Sequence, residues 1–116
     1  VSYVDGMFAG GKLGLRPIFE KLVAEGRKLG KDVKVCPCKT IVPFYRNRVF
    51  AQVMPATKTR LEFALALGDV KPTGKLKANP RAKGNDRIKH LFELTTLKDI
   101  DAAVLKWLKA AYDADG

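Results

Sequence analysis

Hydrophobic side chains recur with a helical period in two parts of this chain. The first part runs from Arg16 to Leu29, where Pro17 suits the opening turn and Gly30 suits the stop. The second begins near Thr96, which is followed three residues later by an acid, as at a capped helix start. Each part predicts a helix with one buried face, and a shorter apolar cluster before Gly10 predicts a third helix.

Between the two longer helices the hydrophobic period changes to two, which is typical of half-buried strands. The runs that predict strands are residues 33–37, 40–46, 49–54, 60–67 and 87–95. Most turns between them are short, which favours antiparallel pairing. Residues 68–86 have almost nothing to bury, so we predict a mobile surface loop there. The predicted fold class is α+β, with an antiparallel sheet of four to five strands and the N-terminal and C-terminal helices packed on it.

The hairpin at the centre of the chain determines which side chains share a face of this sheet. If Asn47 and Arg48 form a two-residue turn, Arg46 lies opposite Val49. Because side chains alternate along a strand, the core face would carry Val42, Phe44, Val49, Ala51 and Val53. The outer face would carry Ile41, Pro43, Tyr45, Phe50, Gln52 and Met54, together with Arg87 and Lys89. By the same alternation, His90 belongs to the core face.

The length and composition are those of one folded domain covering residues 1–116, with 47% hydrophobic and 29% charged residues. No apolar run approaches the roughly 20 residues that span a bilayer, and the N-terminus lacks the pattern of a secretory signal. We therefore expect a cytoplasmic, soluble protein without a membrane partner. Because the first residue is Val1 and not Met, we also expect a processed product or a piece of a longer protein.

Positive charge is concentrated in the predicted sheet and its long loop. Residues 33–89 contain thirteen Lys and Arg and three acids, whereas the rest of the chain contains nine of each. The formal net charge of +10 therefore belongs to the sheet region. Such a surface favours binding of nucleic acid or another polyanion. The predicted binding residues are Lys39, Arg46, Arg48, Lys58, Arg60, Arg87 and Lys89.

Two aromatic residues of the predicted outer face sharpen this hypothesis. Tyr45 and Phe50 would lie beside Arg87 and Lys89, so that bases could stack on the rings while phosphates meet the cations. This pattern favours a non-enzymatic module for nucleic acid. In a second interpretation the N-terminal helix covers both rings as a small core, and the lysines only keep the protein soluble. In a third, the domain serves a fused neighbour as an interaction surface.

The single histidine and the two cysteines are the remaining candidates for chemistry. A pocket holding His90 and Cys38 would indicate a small-molecule-binding or enzymatic domain, with His90 as a general acid or base. The core parity of His90 favours a structural role instead. Cys36 and Cys38 are too close in sequence for a strain-free disulfide, and zinc needs about four ligands where these three residues supply three. We therefore expect thiols packed in or beside a strand, no metal site, no cofactor and no catalytic residue.

Several short motifs occur in a fixed order along the chain. They are Leu29-Gly30, Lys39-Thr40, Arg46 and Arg48 before Phe50-Ala51, Lys58 and Arg60 before Leu61 to Leu65, HxFxL from His90 to Leu94, and WLxxAY from Trp107 to Tyr112. This order resembles a bacterial domain-of-unknown-function family, number 5655, over nearly the whole chain. The resemblance implies the fold described above, and members of that family often follow another uncharacterised domain. It implies no activity, cofactor or catalytic residue.

Overall fold

A computed structural model describes residues 8, 14–38, 41–68, 70–80 and 88–115. Within these ranges the chain forms two α-helices and one antiparallel sheet of six strands in the order β1-β2-β3-β4-β6-β5. The predicted α+β class is confirmed, although the sheet has more strands than the four to five expected. The elements are α1 (Arg16–Lys28), β1 (Lys34–Val35), β2 (Val42–Tyr45), β3 (Val49–Pro55), β4 (Leu61–Leu65), β5 (Lys77–Ala78), β6 (His90–Leu94) and α2 (Ala102–Asp115).

Both helices pack on the same face of the sheet, which we call the core face. One row of this face runs across four strands, because the pairing register joins Val42 to Val53, Phe63 and Phe92. These side chains are buried in one hydrophobic cluster with the apolar stripes of both helices. Phe8 joins the cluster too, with its ring centroid 4.9 Å from that of Phe19 in α1. Alternation therefore predicted most of the core face correctly.

The central hairpin differs from its prediction in the length of its turn. The loop has three residues, because Tyr45 pairs with Val49 and the Arg46 amide donates to the Arg48 carbonyl oxygen at 3.0 Å. The assumed two-residue turn, with Arg46 opposite Val49, is therefore wrong. Val49 is only half-buried and shares the face of Tyr45, so it leaves the predicted core set.

The longer turn is compensated by a β-bulge that reorients Phe50. The pair after Tyr45 and Val49 is Phe44 with Ala51, so that Phe50 is the extra residue of its strand. The bulge turns its ring to the core face, where its exposure is 0% and its centroid lies 6.3 Å from that of Phe44. The prediction that Phe50 lies on the outer face and stacks on bases is therefore wrong.

Part of the predicted mobile loop belongs to the sheet. β5 pairs with the last strand, Lys77 opposite Leu91 and Ala78 opposite His90. Leu76, just before β5, is 1% exposed and belongs to the hydrophobic cluster. The prediction of a loop is therefore wrong for Lys77–Ala78, because these residues pair with the free edge of the last strand. Residues 69 and 81–86 lie outside the described part of the chain.

The predicted helix start at Thr96 is a separate 3₁₀ turn, Leu97–Asp99, which precedes α2. The Asp99 carboxylate accepts hydrogen bonds from the amides of Thr95 and Thr96 at 2.7 and 3.0 Å. The Thr95 amide, followed by the other donors around it, holds the pKa of Asp99 below its usual range. The acid at this position was therefore identified correctly as a cap, although α2 itself begins at Ala102.

Replacement of Gly26 by alanine should destabilise the fold, although alanine is the better helix former. A Cβ atom at this position would lie 2.7 Å from Cε2 of Phe44, whose ring is fully buried. Overpacking of this kind costs about 1–3 kcal/mol, against a gain of roughly 1 kcal/mol in helix propensity. Urea unfolding should show the loss, whereas Gly14→Ala, with no atom within 4 Å of its Cβ, should not. A Gly26→Ala protein more stable than wild type would contradict this packing.

Candidate nucleic-acid interface

The face of the sheet opposite the two helices, which we call the outer face, is defined by the strand register. None of its residues belongs to the hydrophobic cluster that the helices cover. In its centre Ala64 and Leu91 are nevertheless buried. The accessible polar groups therefore lie around this centre. The residues of the outer face are Lys34, Pro43, Tyr45, Val49, Gln52, Met54, Glu62, Ala64, Lys77, Lys89, Leu91 and Glu93.

One part of the outer face is an ion-pair network. The Arg60 guanidinium lies 3.6 Å from Glu62 and 3.4 Å from Glu93, and Lys77 Nζ donates to Glu93 at 2.6 Å. The Lys77 ammonium, followed by the charge of Arg60, holds the pKa of Glu93 below its usual range. The predicted binding residue Arg60 is therefore largely engaged with acids of its own sheet, as is Lys77.

The cations that stay accessible lie at the two sides of the outer face. Lys34, in the edge strand β1, is exposed and lies directly opposite Tyr45, which is half-buried. Lys89 extends the last strand on the other side and is also exposed. Among the described residues neither lysine forms an ion pair, and the same holds for the exposed Lys58 in the turn between β3 and β4. The predicted residues Lys39 and Arg87 lie outside the described part of the chain.

Arg46, another predicted binding residue, is instead part of a junction between the hairpin and α2. Its Nε donates to Asp32 at 2.9 Å, its Nη1 donates to the Tyr112 carbonyl oxygen at 2.9 Å, and its guanidinium lies 4.1 Å from the centroid of the Tyr112 ring. The Tyr112 hydroxyl donates to Asp32 at 2.6 Å. The Tyr112 hydroxyl, and after it Arg46, holds the pKa of Asp32 below its usual range. The structure therefore gives Arg46 a structural role.

The last turn of α2 completes this junction. The Asp115 carboxylate accepts hydrogen bonds from the amides of Asn47 and Arg48 at 2.8 and 2.9 Å, and its side chain is 1% exposed. The Asn47 side-chain amide donates to the Asp115 carbonyl oxygen at 2.8 Å. The Arg48 guanidinium lies 3.8 Å from Asp115 but is 67% exposed, so it can still contact a partner. The hairpin turn is thus attached to α2 by backbone and side chain together.

The structure does not bring His90 and Cys38 together. His90 is on the core face, 4% exposed, and its Nε2 donates to the Val70 carbonyl oxygen at 2.5 Å. Cys38 is exposed and follows β1, and β1 is four strand positions away from β6, the strand of His90. At roughly 4.8 Å per strand the separation is about 19 Å. The predicted pocket with both residues is therefore not formed, and His90 lies on the core face, as its parity predicted.

A cavity in the described part of the chain lies elsewhere, between α1 and β1. Its volume is about 370 Å³. Apolar side chains form its walls and two charged side chains stand at its rim. The lining residues are Phe19, Glu20, Val23, Ala24, Arg27, Val35 and Pro37. Sequence reasoning missed this cavity because it depends on how a helix sits against a sheet edge.

Sequence reasoning also passed over Lys34 and Lys77, two cations of the outer face. Lys34 lies in the predicted first strand, two residues from Cys36, and the alternation rule applied there would have assigned it to the outer face. Lys77 lies in a segment that is predicted to be a loop, and a loop prediction assigns its residues to neither face of the sheet.

Comparison with known proteins identifies the family of this chain but gives no information about an activity. None of the helices in the described part of the chain is long and apolar enough to cross a membrane. No curated protein and no solved structure matches the chain. The family model described as "Domain of unknown function (DUF5655)" matches residues 4–115, in agreement with the order of the short motifs. The chain therefore belongs to the DUF5655 family.

Proposed function

We propose that this protein is a non-enzymatic module that binds single-stranded nucleic acid along the outer face of its sheet. The observation that supports the proposal is the position of Lys34 and Lys89. Both are exposed, both lie on the face that α1 and α2 leave uncovered, and neither is paired with an acid among the described residues. The overall charge of +10 would attract a polyanion toward this face.

The dimensions of the outer face suit a short single strand. β1 and β6 are separated by four strand spacings of roughly 4.8 Å, or about 19 Å. Stacked nucleotides advance by roughly 3.4 Å each, so about six of them would connect Lys34 with Lys89. This number lies within the site sizes of about 4–16 nucleotides found for single-strand-binding sheets.

Tyr45 gives the face a preference for single strands over duplexes. Its ring lies opposite Lys34 across the β1–β2 pair, so one base could stack on it while the next phosphate meets the ammonium group. In the described part of the chain both helices lie on the core face, so neither stands on the outer face where it could enter a major groove. Glu62 and Glu93 would keep phosphates away from the middle of the face. Binding should therefore be sequence-tolerant and strongly dependent on salt.

Four further basic residues would contribute around this face. Arg48 and Lys58 are exposed at the two hairpin turns, and Lys39 and Arg87 complete the set that the sequence predicted. We expect these side chains to contact phosphate only, which adds affinity without base preference. Arg46 and Arg60 would contribute less, since acids of the protein already neutralise them.

The test is a fluorescence-anisotropy titration with a labelled single strand of about eight nucleotides and the corresponding duplex. The double variant Lys34→Gln/Lys89→Gln should weaken single-strand binding by about tenfold. The control variant Lys98→Gln/Lys106→Gln removes the same charge from the region of α2 and should change binding by less than about twofold. Tyr45→Ala should weaken binding of the single strand more than that of the duplex.

Two results would contradict the proposal. One is the absence of binding to either oligonucleotide at low salt. The other is an equal loss of affinity in the Lys34/Lys89 and Lys98/Lys106 variants, because that would show attraction to net charge without a binding face.

A further inference from the structure

We propose that Cys36 and Cys38 form a two-thiolate site for a soft monovalent metal ion, Cu(I). The two thiols are free and exposed. The sequence led us to expect thiols packed in or beside a strand, and the structure places them beside a strand but accessible. The two thiols take no part in the proposed nucleic-acid surface, although Lys34 lies beside both sites.

The backbone around the two cysteines is extended and held in register. The Cys36 amide donates to the Pro43 carbonyl oxygen at 3.2 Å, and the Cys38 amide donates to the Ile41 carbonyl oxygen at 2.8 Å. These bonds continue the antiparallel register of β1 and β2 beyond Val35. Side chains two residues apart in such a ladder point to the same face of the sheet. Cys36 and Cys38 therefore share a face.

The residues between and before the cysteines identify that face. Val35 and Pro37 both line the cavity against α1, which lies on the core face. The two thiols consequently lie on the opposite side, together with Lys34. The Cys38 thiol points back along the chain, since its Sγ donates to the Cys36 carbonyl oxygen at 3.5 Å. Both side chains are exposed and can change rotamer, which brings the two sulfur atoms together without a change in the backbone.

The spacing suits a bridging ion better than a disulfide. Two steps along a strand separate the Cα atoms by roughly 6.6 Å, near the upper limit for a disulfide. A metal ion with two thiolate bonds of roughly 2.3 Å holds the sulfur atoms about 4.6 Å apart, instead of about 2 Å. The ion can therefore join these thiols without moving the backbone.

The ligand set selects the kind of ion. Among the described residues, no group of three or more His, Cys, Asp or Glu side chains is placed to hold a metal, so the four ligands of a structural zinc site are not provided there. Thiolates are soft ligands and favour Cu(I), which two of them can satisfy. Binding releases one proton from each thiol and leaves a complex of net charge −1. Lys34, on the same face, supplies the opposite charge.

The test is an anaerobic titration of the reduced protein with Cu(I) in competition with a coloured Cu(I) chelator. Wild type should take one ion per chain, and X-ray absorption should show two sulfur ligands. Cys36→Ser and Cys38→Ser should each lower the affinity by more than about tenfold. Thermal unfolding followed by circular dichroism should be unchanged in both variants, because the two thiols are exposed.

A variant that keeps two thiols but separates them tests the geometry. Pro37→Cys/Cys38→Ser places the thiols at adjacent positions, on opposite faces of the strand, and should bind Cu(I) as weakly as the single serine variants. Equal affinity of this variant and wild type would overturn the proposal. The proposal would also be overturned if wild type competed with the chelator for Cu(I) no better than Cys36→Ser/Cys38→Ser does. Binding of one ion by two chains would overturn it as well.

Discussion

Replacement of Phe50 by alanine should lower the free energy of unfolding by about 3–5 kcal/mol. The ring is fully buried, and its centroid lies 6.3 Å from that of Phe44 and 5.7 Å from that of Tyr112. Its removal would leave a cavity between the hairpin and α2, and the two edge-on ring contacts would be lost as well. Urea unfolding of the purified variant measures the change directly.

Tyr45→Ala is the matched control, since it removes the neighbouring aromatic ring from the other face of the same hairpin. Tyr45 is half-buried, so its loss should cost only about 1 kcal/mol. The two variants should also differ in their affinity for single-stranded nucleic acid. Tyr45→Ala should weaken binding directly. Phe50→Ala should reduce binding only in proportion to the fraction of the protein that is unfolded. A stable Phe50→Ala protein with weakened nucleic-acid binding would contradict the core-face position of Phe50. It would indicate that the ring lies on the outer face.

Replacement of Asp115 by alanine should lower the free energy of unfolding by about 2–3 kcal/mol. Its carboxylate accepts the amides of Asn47 and Arg48, and the variant would leave both donors without their partner. An acid in the last turn of a helix is unfavourable with respect to the helix dipole. If only the helix mattered, removal of this acid would therefore raise the free energy of unfolding. The expected decrease comes instead from the lost contact with the hairpin.

Asp113→Ala provides the comparison for Asp115. Asp113 lies in the same helix turn but is exposed, with its carboxylate 2.9 Å from the ammonium group of Lys109, four residues earlier. Its removal should change the stability by less than about 0.5 kcal/mol. Equal stabilities of the Asp113→Ala and Asp115→Ala proteins in urea would contradict the role of Asp115 in holding the hairpin turn.

The two helices and the core face could be predicted because they depend on local periodicity. Val42 and Phe44 were assigned correctly from alternation alone, since one face of the sheet is buried by helices. Phe50 could not be assigned in the same way. The pattern of apolar residues does not reveal the extra residue in the turn or the bulge that follows it. Together these two features move the Phe50 ring from the outer face to the core face.

The distribution of charged residues along the sequence predicted the excess of positive charge in the sheet region. It did not predict which arginines form ion pairs with acids. Asp32, Glu93 and Asp115 all lie outside the basic segment 33–89, yet the fold places them against its arginines. Arg46 and Arg60 are thereby paired with acids, Asp32 and Glu93, that were counted with the rest of the chain. Such contacts join residues far apart in the chain, as between Arg46 and Tyr112, and sequence spacing gives no signal for them. On the outer face, Lys34 and Lys89 remain exposed.

The most direct test of the proposed interface is an NMR titration of the isotopically labelled protein with a single strand of about eight nucleotides. Binding on the outer face predicts amide shift changes concentrated in β1, at Tyr45 and around Lys89, while the amides of α1 and α2 stay in place. Shift changes concentrated on the two helices, or no change at low salt, would contradict the account.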